Sequence, residues 1–591
     1  MSNPFGAFVM VLHGHIPYVL GHSTDPHGSV MLYEAAAETY IPLLWCLEEL
    51  EHEGIKANIT VSLSPITVEQ LSDERFKVWF VDYLRAKIAG AEEDEALFRD
   101  QWGDGHLAFL ARETWRNRYE AILRGFVEGY NRDLVGAFRR MQQIGQIELM
   151  TCGATHGYFP LLHEDVSIQA QIMQAVSNYQ RHFGERPRGI WLPECAYRPH
   201  ALWGPPPELG YLQDGYPELP VERAGVEELV GNSGFSYFIV DTHMLGGGQP
   251  LPVVVRHGDV TGKPWAGIRH LRDASPYDGP KTPYRPYFVG DRFEDHSPVS
   301  ILVRDPESSR QVWSAWQGYP GDFWYLEFHK KHMPHQLRYW RVTDDLNDLG
   351  TKQPYEPHQA DARVREHAGH FLWLVKNKLQ SAPWEGGMPV VCAPFDAELF
   401  GHWWFEGPAW LTKMLRWMNQ DPDIAVMKAS EYITNHSPDR AITLPEGSWG
   451  AGGGHAVWLN AETAWTWHLV YDAEKDYKGL AAYLADNKDP KVRALVQQAG
   501  RELLLLQASD WQFLISTWSA HDYASARVRH HYDDYRFVAR LAREVAAGAS
   551  LSPEQEEQFA AICDRDRPFP DLDPHWWLPG ATKSAPSTGP V

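Results

Sequence analysis

The chain has 591 residues, of which 44% are hydrophobic and 22% charged, and its formal net charge is −23. This length fits a barrel-sized catalytic domain with additions, and the acidic balance argues against nucleic acid or anionic membranes as partners. No apolar stretch approaches the roughly 18 residues that cross a bilayer. The N-terminus shows no signal-peptide pattern and the five cysteines are scattered, so we expect a cytoplasmic protein.

Seven short apolar runs are typical of buried parallel strands, and a polar residue follows each of them. In chain order they are residues 8–12 before His13, 57–63 before Ser64, 147–150 before His156, 189–192 before Glu194, 237–240 before Asp241, 299–303 before Arg304 and 389–393 before Asp396. Helical segments such as 31–53 lie between several of the runs. The alternation predicts an α/β barrel that is either incomplete or has an eighth strand the pattern does not reveal. Its chemistry is expected at the carboxyl ends of the strands.

Composition also divides the chain into segments. A continuously helical stretch at about 72–146 predicts a helical insertion, and residues 246–291, rich in Gly, Pro and charge, predict a long functional loop. From residue 422 the pattern becomes helical, which separates a catalytic domain at 1–421 from a helical C-terminal domain at 422–579. Residues 580–591 have the composition of a disordered tail.

Glu194 lies in the segment Trp-Leu-Pro-Glu-Cys-Ala-Tyr, directly after the fourth apolar run. A carboxylate at that place would face the mouth of a barrel. It could instead be a structural partner of an arginine such as Arg304. Pairing with a cation would also keep the carboxylate ionised, as attack on an anomeric carbon requires.

Asp396 begins the segment Asp-Ala-Glu-Leu-Phe-Gly-His-Trp-Trp after the last run. Retaining glycoside hydrolysis uses two carboxyl groups about 5–5.5 Å apart, one as nucleophile and one as proton donor. Glu194 and Asp396, at the ends of two different strands, fit that pattern. Glu398 competes for the acid role, although Asp396 is nearer to the strand.

Three histidines, His13, His15 and His156, follow the first and third runs. They could bind sugar hydroxyls, and each could equally be structural. A His-x-His pattern after the first strand of a barrel is also typical of metal ligands, and Asp241 and His243 could complete such a set. A metal-dependent hydrolase is therefore an alternative.

The chain contains 25 tryptophans. Indole rings stack on the flat C–H faces of sugars, although most tryptophans simply pack in the core. A glycine-rich loop at 447–455, followed by Trp458, lacks the Lys and Ser/Thr of a phosphate-binding loop, so we exclude nucleotide binding. The glycines predict a loop that presents exposed indoles to a glucan.

Several of these segments resemble one known family. The segments 13–17, 153–158, 191–197 and 393–404 resemble the sequence regions of glycoside hydrolase family 57, and the loop 447–458 and the segment 509–511 resemble its α-1,4-glucan branching subgroup. The resemblance runs from about residue 6 to about residue 570. It implies an α/β fold with an incomplete (β/α)7 barrel, a helical insertion and an all-helical C-terminal domain. It also implies a retaining mechanism without metal or cofactor.

The resemblance further implies roles for individual residues. Glu194 would be the nucleophile, Asp396 the general acid/base, and an α-1,4-glucan the substrate. The other residues implied to line the site or the glucan path are His13, His15, His156, Asp241, Arg304, Trp313, His402, Trp404, Trp449, Trp458 and Asp510.

Two positions depart from the family pattern. Family members carry tryptophan where this chain has Asp25, and a loop tyrosine associated with branching where it has Val254, which Tyr277 could replace. An α-glucan hydrolase or a 4-α-glucanotransferase therefore stays open beside a branching enzyme. From other classes, a metal-dependent barrel hydrolase and a catalytically silent glucan-binding protein are the alternatives.

Overall fold

The computed structural model describes most of the chain as two compact units. The described residues are 4–24, 26–204, 206, 209, 220–247, 249–251, 253–254, 269–270, 281–290, 292, 296–314, 317–344, 348–383 and 387–581. The first unit comprises Met1–Val61, Gln70–Leu149 and Arg304–Tyr432, and the second comprises Ser62–Glu69, Met150–Val303 and Ile433–Val591. Within the described residues, no helix combines the length and apolar character needed to cross a membrane.

The strands are short and mostly buried. They are β1 (Gly6–Gly14), β2 (Ile59–Leu63), β3 (Ile147–Cys152), β4 (Ile190–Trp191), β5 (Ala201–Trp203), β6 (Val221–Arg223), β7 (Tyr237–Val240), β8 (Gln249–Leu251), β9 (Val253–Val254), β10 (Arg269–His270), β11 (Tyr287–Val289), β12 (Val299–Val303), β13 (Val390–Asp396), β14 (Ile424–Val426) and β15 (Ala441–Thr443). All seven predicted strands are confirmed, as β1, β2, β3, β4, β7, β12 and β13.

Helices occupy the connections and the C-terminal part of the chain. They are α1 (Ser29–Ala35), α2 (Ile41–His52), α3 (Pro65–Ser72), α4 (Glu74–Leu97), α5 (Gly105–Leu110), α6 (Asn117–Arg124), α7 (Leu134–Gln143), α8 (Asp165–Phe183), α9 (Val226–Asn232), α10 (His243–Gly247), α11 (Pro306–Trp313), α12 (Pro357–Ser381), α13 (Gly407–Gln420), α14 (Ala429–Asn435), α15 (Ala464–Leu484), α16 (Pro490–Leu506), α17 (Asp510–Ser516), α18 (His521–Ala546) and α19 (Pro553–Arg565). A π-helical turn, Ala36–Tyr40, joins α1 to α2. The helical insertion lies between β2 and β3.

Some predicted features change or lie outside the described residues. In the part of the chain predicted to be helical from residue 422, the sequence pattern divides residues 461–484 into two helices at 461–475 and 477–484, but the structure has one continuous helix, α15, because nothing at Asp476 breaks the helical backbone. Asp25 and Tyr277 lie outside the described residues, as do most of the long loop and residues 582–591. Val254 is described only by its place in β9, which pairs with β10. The domain division at residue 421 stays a prediction.

In the first unit, β1 is the strand around which the others are arranged. It is buried over its whole length and runs parallel to both β13 and β14. Burial on both faces explains its near-continuous apolar sequence. In the parallel register with β13, His13 lies opposite Asp396, so both residues reach the same edge of the sheet. Phe371 of α12 packs edge-on against Phe8, at 5.9 Å between ring centroids.

The second unit contains the other strand ends. β3 pairs in parallel with β4, with Cys152 opposite Trp191, which places Glu194 just beyond the paired residues. A separate sheet has the strand order β7–β12–β11–β15–β8, in which β7 and β12 are parallel. The C-terminal helices α15, α16 and α18 pack on one another through fully buried residues such as Leu503 and Val538.

A buried carboxyl group connects α15 to two other segments of the second unit. Glu474 is fully buried, and it accepts hydrogen bonds of 2.8 Å from the His163 backbone N–H and from the Gln507 side chain. Burial, with the nearby charge of Glu164, raises the pKa of Glu474 to about 8. The folded protein therefore holds this carboxyl protonated at neutral pH.

The raised pKa of Glu474 has a consequence for stability. Below pH 4 both the folded and the unfolded chain are protonated at this residue, whereas between pH 5 and pH 8 only the unfolded chain ionises, which lowers the free energy of unfolding. We expect Glu474→Gln to gain stability relative to the unmodified protein as pH rises through that window, on the order of 1 kcal/mol per pH unit. Urea denaturation at pH 5, 6.5 and 8 measures this difference. Glu557→Gln, on the exposed face of α19, is the control and should show no trend; a flat difference for Glu474→Gln would contradict the assignment.

Candidate active site

Glu194 occupies a strained turn directly after β4. Its backbone has φ +62°, and Cys195 follows with φ +48°, both in the left-handed region that side chains with a Cβ rarely adopt. The turn is closed by hydrogen bonds from the Cys195 N–H to the Leu192 carbonyl and from the Ala196 N–H to the Pro193 carbonyl. Such conformations cost about 1–3 kcal/mol each and are found mostly at functional sites. The strain at Glu194 is therefore consistent with a catalytic position.

Both carboxylate oxygens of Glu194 accept hydrogen bonds. The Trp449 indole N–H donates to Oε2 over 2.8 Å, and the Ser509 hydroxyl donates to Oε1 over 3.2 Å. The side chain is 16% exposed. Donors aimed at a carboxylate stabilise its charged form and fix its orientation. The two donors thus orient a carboxylate that remains partly accessible to solvent.

His156 also hydrogen-bonds to the Ser509 hydroxyl. Its Nδ1 lies 2.8 Å from the Ser509 hydroxyl and 3.7 Å from Glu194 Oε1. Because the hydroxyl donates to Glu194, it accepts from His156, which places the ring proton on Nδ1. The backbone confirms the pairing, since the Ser509 N–H donates to the His156 carbonyl over 3.0 Å. The chain between α16 and α17 is thereby attached to the loop that follows β3.

The glycine-rich loop is fastened to the Glu194 turn. The Trp449 N–H donates to the Glu194 carbonyl over 3.0 Å. Gly450 is required sterically, because a Cβ there would lie 2.6 Å from the Trp458 ring. The expectation that both indoles of the loop are exposed is wrong for Trp458, which is 1% exposed and stacks on Tyr158 at 4.4 Å. Trp458 packs against Gly450 of the loop, whereas the Trp449 indole donates to the Glu194 carboxylate.

Two further residues predicted for the site lie in the second unit. Asp241 follows β7, and its Oδ1 lies 3.5 Å from His243 Nδ1. The His243 Nε2 is 3.0 Å from the Gly453 carbonyl, so this ring also contacts the glycine loop. Asp510 is the first residue of α17, directly after Ser509.

In the first unit, Asp396 is the last residue of β13 and lies opposite His13. His13 is 2% exposed, and burial, together with the neighbouring His15, holds the pKa of the His13 imidazole well below its usual value. The two imidazole rings are nearly parallel, with centroids 6.0 Å apart. His13 is therefore neutral at physiological pH and can act as a hydrogen-bonding group without adding a positive charge.

Glu398, the alternative candidate for the acid role, is buried and hydrogen-bonded within the fold. It is 4% exposed and accepts hydrogen bonds from the Tyr40 hydroxyl and, over 3.0 Å, from the His15 backbone N–H. Burial raises the pKa of Glu398 above its usual value. Asp396 is more accessible than Glu398. This difference favours Asp396 as the proton donor, although that role stays a prediction.

A buried ion pair fixes the orientation of His402. The Glu38 Oε2 lies 3.0 Å from His402 Nδ1 and accepts from the Arg338 guanidinium over 2.9 Å. Burial would raise the pKa of Glu38, but the charge of Arg338 and the contact with His402 outweigh it and lower that pKa below its usual value. Arg338 also donates to the His402 carbonyl over 3.0 Å. The His402 ring is thus held by Glu38, and its backbone carbonyl by Arg338.

The predicted tryptophans of the first unit differ in accessibility. Trp404 is 1% exposed and packs among aromatic rings such as Trp410, at 5.4 Å between centroids. Trp403, next to it, is 39% exposed, and its ring lies 6.2 Å from that of Trp313. The accessible pair is therefore Trp313 and Trp403. Arg304 follows β12, and its Nε donates to the Ser309 hydroxyl.

Several residues of these clusters are absent from the sequence prediction. They are Ser509, Glu38, Arg338, Tyr40 and Trp403. Ser509 stands beside the predicted Asp510, and Trp403 beside Trp404, so neighbouring positions pointed to them. Glu38 could have been found because it is an acidic residue within the apolar stripe of a predicted helix. Nothing in the sequence marks Arg338 or Tyr40.

Within the described residues of the second unit, one buried cluster has the residue types of a metal site. Glu502, His531 and Asp566 are all fully buried, with potential ligand atoms within 4.8 Å of one another. Both His531 ring nitrogens already have protein partners at 2.8 Å, the Glu502 carboxylate and the Arg527 guanidinium. A guanidinium beside the imidazole disfavours a cation there, so the cluster is better described as a buried hydrogen-bonded network.

Comparison with known proteins places the chain in a family. The model of glycosyl hydrolase family 57 matches residues 9–445, and the model described as 1,4-alpha-glucan branching enzyme, C-terminal, matches residues 469–577. The chain belongs to glycosyl hydrolase family 57. It is 38% identical over 570 residues to a 1,4-alpha-glucan branching enzyme of Thermococcus kodakarensis, covering 95% of this chain and 77% of that protein.

Solved structures agree with this assignment. A GH57-type branching enzyme from Pyrococcus horikoshii is 35% identical, with a TM-score of 0.84 and coverage of 98% of each chain. The alpha-amylase AmyC from Thermotoga maritima is 28% identical, with a TM-score of 0.77 and coverage of 97% of this chain and 99% of that one. The predicted fold class, an incomplete (β/α)7 barrel with a helical insertion and a helical C-terminal domain, is confirmed.

Substitution of Ser509 tests whether its hydrogen bond to Glu194 matters for activity. In Ser509→Ala the carboxylate loses one donor, and a hydrogen bond to a charged group contributes about 1.5–3 kcal/mol. We expect the rate of amylose conversion to fall about 10- to 100-fold and the acidic limb of its pH–rate profile to move to higher pH, because the anion is less stabilised. Ser550→Ala, on the exposed segment between α18 and α19, is the control and should keep the rate. A lower rate with an unmoved acidic limb would assign Ser509 a purely structural role.

Proposed function

We propose that this protein is a retaining 1,4-α-glucan branching enzyme with Glu194 as nucleophile and Asp396 as general acid/base. The observation that carries the proposal is the Glu194 carboxylate held by the Trp449 indole N–H and the Ser509 hydroxyl. Ser509 lies within the segment matched by the branching-enzyme C-terminal model. The relatives named above, which are described as branching enzymes, support the same activity.

The proposed reaction has two steps. In the first, a Glu194 oxygen attacks the anomeric carbon while Asp396 gives its proton to the glycosidic oxygen, so the α-1,4 bond breaks and a glycosyl-enzyme forms. In the second, Asp396 takes the proton of an acceptor 6-hydroxyl, whose oxygen displaces Glu194 from the anomeric carbon. Two displacements retain the configuration and leave an α-1,6 branch.

Neutral polar groups and aromatic rings suit an uncharged polyol. His13, which is neutral, and His402, which is fixed by Glu38, are proposed to bind sugar hydroxyls. Trp313 with the exposed Trp403 is proposed as a surface on which a sugar ring stacks. The remaining predicted contacts, among them His15, Asp241, Arg304 and Asp510, are retained as proposals. A net charge of −23 supports a neutral substrate rather than nucleic acid or an anionic membrane.

An α-glucan hydrolase on the same scaffold is the second candidate. The similarity to the alpha-amylase AmyC over nearly the whole chain is the observation that favours it. In a hydrolase, water would replace the acceptor 6-hydroxyl in the second step. Val254 and Asp25, which stand where the family has tyrosine and tryptophan, would leave fewer aromatic groups to exclude water.

Location and domain division complete the proposal. Five scattered cysteines in 591 residues support a reducing compartment, and we propose the cytoplasm. We also propose a catalytic domain at 1–421 and a helical domain at 422–579.

Incubation with amylose separates the candidates. We expect α-1,6 linkages to accumulate, seen as new short chains after debranching, with fewer reducing ends released than branches formed. Reducing ends without α-1,6 linkages would establish a hydrolase instead. Loss of all activity on chelation, restored by a divalent metal, would favour the metal-dependent alternative.

The nucleophile is tested by Glu194→Gln. Without an ionised oxygen no glycosyl-enzyme can form, so we expect both branching and hydrolysis to fall by at least about a thousandfold. Glu185→Gln, on the exposed loop before β4, is the matched control and should keep full activity. Near-normal turnover by Glu194→Gln in a correctly folded protein would remove Glu194 from the mechanism.

Azide distinguishes the two carboxyl groups. Asp396→Ala supplied with a glycosyl donor that has a good leaving group should form the glycosyl-enzyme, which azide then attacks without needing a base. We expect rescue of the rate and a glycosyl azide of retained configuration, identified by NMR. An azide of inverted configuration would identify Asp396 as the nucleophile.

A further inference from the structure

Trp518 is a large side chain that the fold does not bury. It lies two residues beyond the end of α17, and 67% of it is exposed to solvent. Its backbone has φ +56°, a left-handed conformation that is a genuine outlier for a bulky residue. The chain therefore accepts a strained backbone at a position where the indole contributes little to the core.

The exposed indole is held in one orientation. Its N–H donates to the Glu462 carboxylate over 2.9 Å, and its ring stacks on His521 at 4.5 Å between centroids and 17° between planes. Fixing an exposed side chain gives up rotamer entropy without burying apolar surface in return. Preorganised aromatic surfaces of this kind are typical of binding sites, since the entropic cost is met before the ligand arrives.

Helix α17 connects this indole to the proposed nucleophile. Ser509, which donates to Glu194, directly precedes the helix, and Trp518 closely follows it. Seven residues at 1.5 Å rise give a helix about 11 Å long. Trp518 therefore lies the length of a few sugar units from the residue that contacts Glu194.

One face of α17 is accessible along this distance. At helical spacing, Asp510, Phe513 and Leu514 share a face that continues to Thr517, while the opposite face is buried. Phe513 is 42% exposed. The accessible residues along and just beyond the helix are thus, in chain order, an acidic group, an aromatic ring, a hydroxyl and the exposed Trp518 indole.

We propose that this face of α17, from Asp510 to Trp518, is a remote binding track for an α-1,4-glucan chain whose reacting end lies at Glu194. A sugar ring stacks on the open side of Trp518, and Phe513 provides the apolar contact between the platform and the nucleophile. Glu462 and Thr517 supply hydrogen-bonding groups at the edge of the stacked ring. This inference rests on the proposed function, because it assumes that Glu194 acts on a glucan.

The track gives the enzyme a preference for long chains. A chain that contacts both Glu194 and Trp518 is held at two places, which raises the effective concentration of its reacting end. A short oligosaccharide at Glu194 cannot reach Trp518 and gains nothing from it. Chain length at the donor site would then be read by an aromatic platform on the C-terminal helices.

The test compares Trp518→Ala with a matched control. Trp373 on α12 is 59% exposed and also lies against a histidine, His370, at 5.6 Å between centroids. Its helix, α12, is not the helix that follows Ser509, so Trp373→Ala should change nothing. Trp518→Phe keeps a ring and should be intermediate. Dissociation constants for amylose and for maltotriose are measured for all four proteins, with unfolding temperatures and solution masses alongside.

We expect Trp518→Ala to bind amylose about tenfold more weakly and maltotriose unchanged, with turnover of maltotriose-sized substrates also unchanged. Unaltered amylose binding would overturn the inference, as would an equal loss for maltotriose or for Trp373→Ala. A changed solution mass would assign the indole to contact between protein copies instead. If the unmodified protein makes no α-1,6 linkages but Trp518→Ala binds amylose more weakly than it does, the proposed function fails and the track stands. If it branches amylose and Trp518→Ala binds normally, the track alone fails.

Discussion

A carboxylate that attacks carbon must be ionised, oriented and accessible at once, and the surroundings of Glu194 meet these demands. Full burial would neutralise the group, whereas free exposure would leave its direction unfixed. The left-handed turn after β4 directs the side chain, and the Trp449 and Ser509 donors fix its orientation and favour its charged form. The strain of the turn persists because backbone hydrogen bonds to the glycine-rich loop, from the Trp449 N–H to the Glu194 carbonyl and between Tyr197 and Gly447, over-determine the local geometry.

The C-terminal helices contribute to these surroundings, because Ser509, which donates to Glu194, lies between α16 and α17. Ser509 is placed by its backbone contact with His156, and the adjoining Gln507 bonds to Glu474 inside the helical bundle. A mutation in the bundle that moved these residues would disturb the proposed nucleophile, Glu194, without direct contact. Stability of the helices and activity of Glu194 are therefore coupled through packing.

Asp396, the proposed general acid/base, has a different requirement. A general acid/base has to exchange a proton, so its neighbours must not fix its charge. His13, which lies opposite Asp396 in the sheet, adds no positive charge there, because burial holds its imidazole neutral. Glu398 is withdrawn from solvent by Tyr40 and the His15 backbone. Asp396 and Glu398 lie only two positions apart in the sequence but differ in burial, which supports Asp396 as the proposed proton donor.

The sequence alone determined the strands, the helical insertion, the family and the positions of Glu194 and Asp396, since these depend on local periodicity and on contiguous motifs. It did not determine the partners of those residues. Ser509 is 315 positions from Glu194 and Arg338 is 300 from Glu38, and no local pattern encodes such pairs. Nor could composition tell which of the tryptophans pack and which are exposed: Trp404 and Trp458 are buried, whereas Trp403 and Trp518 are not. Side-chain accessibility and hydrogen-bond partners depend on which segments meet after folding, and only the tertiary structure decides that.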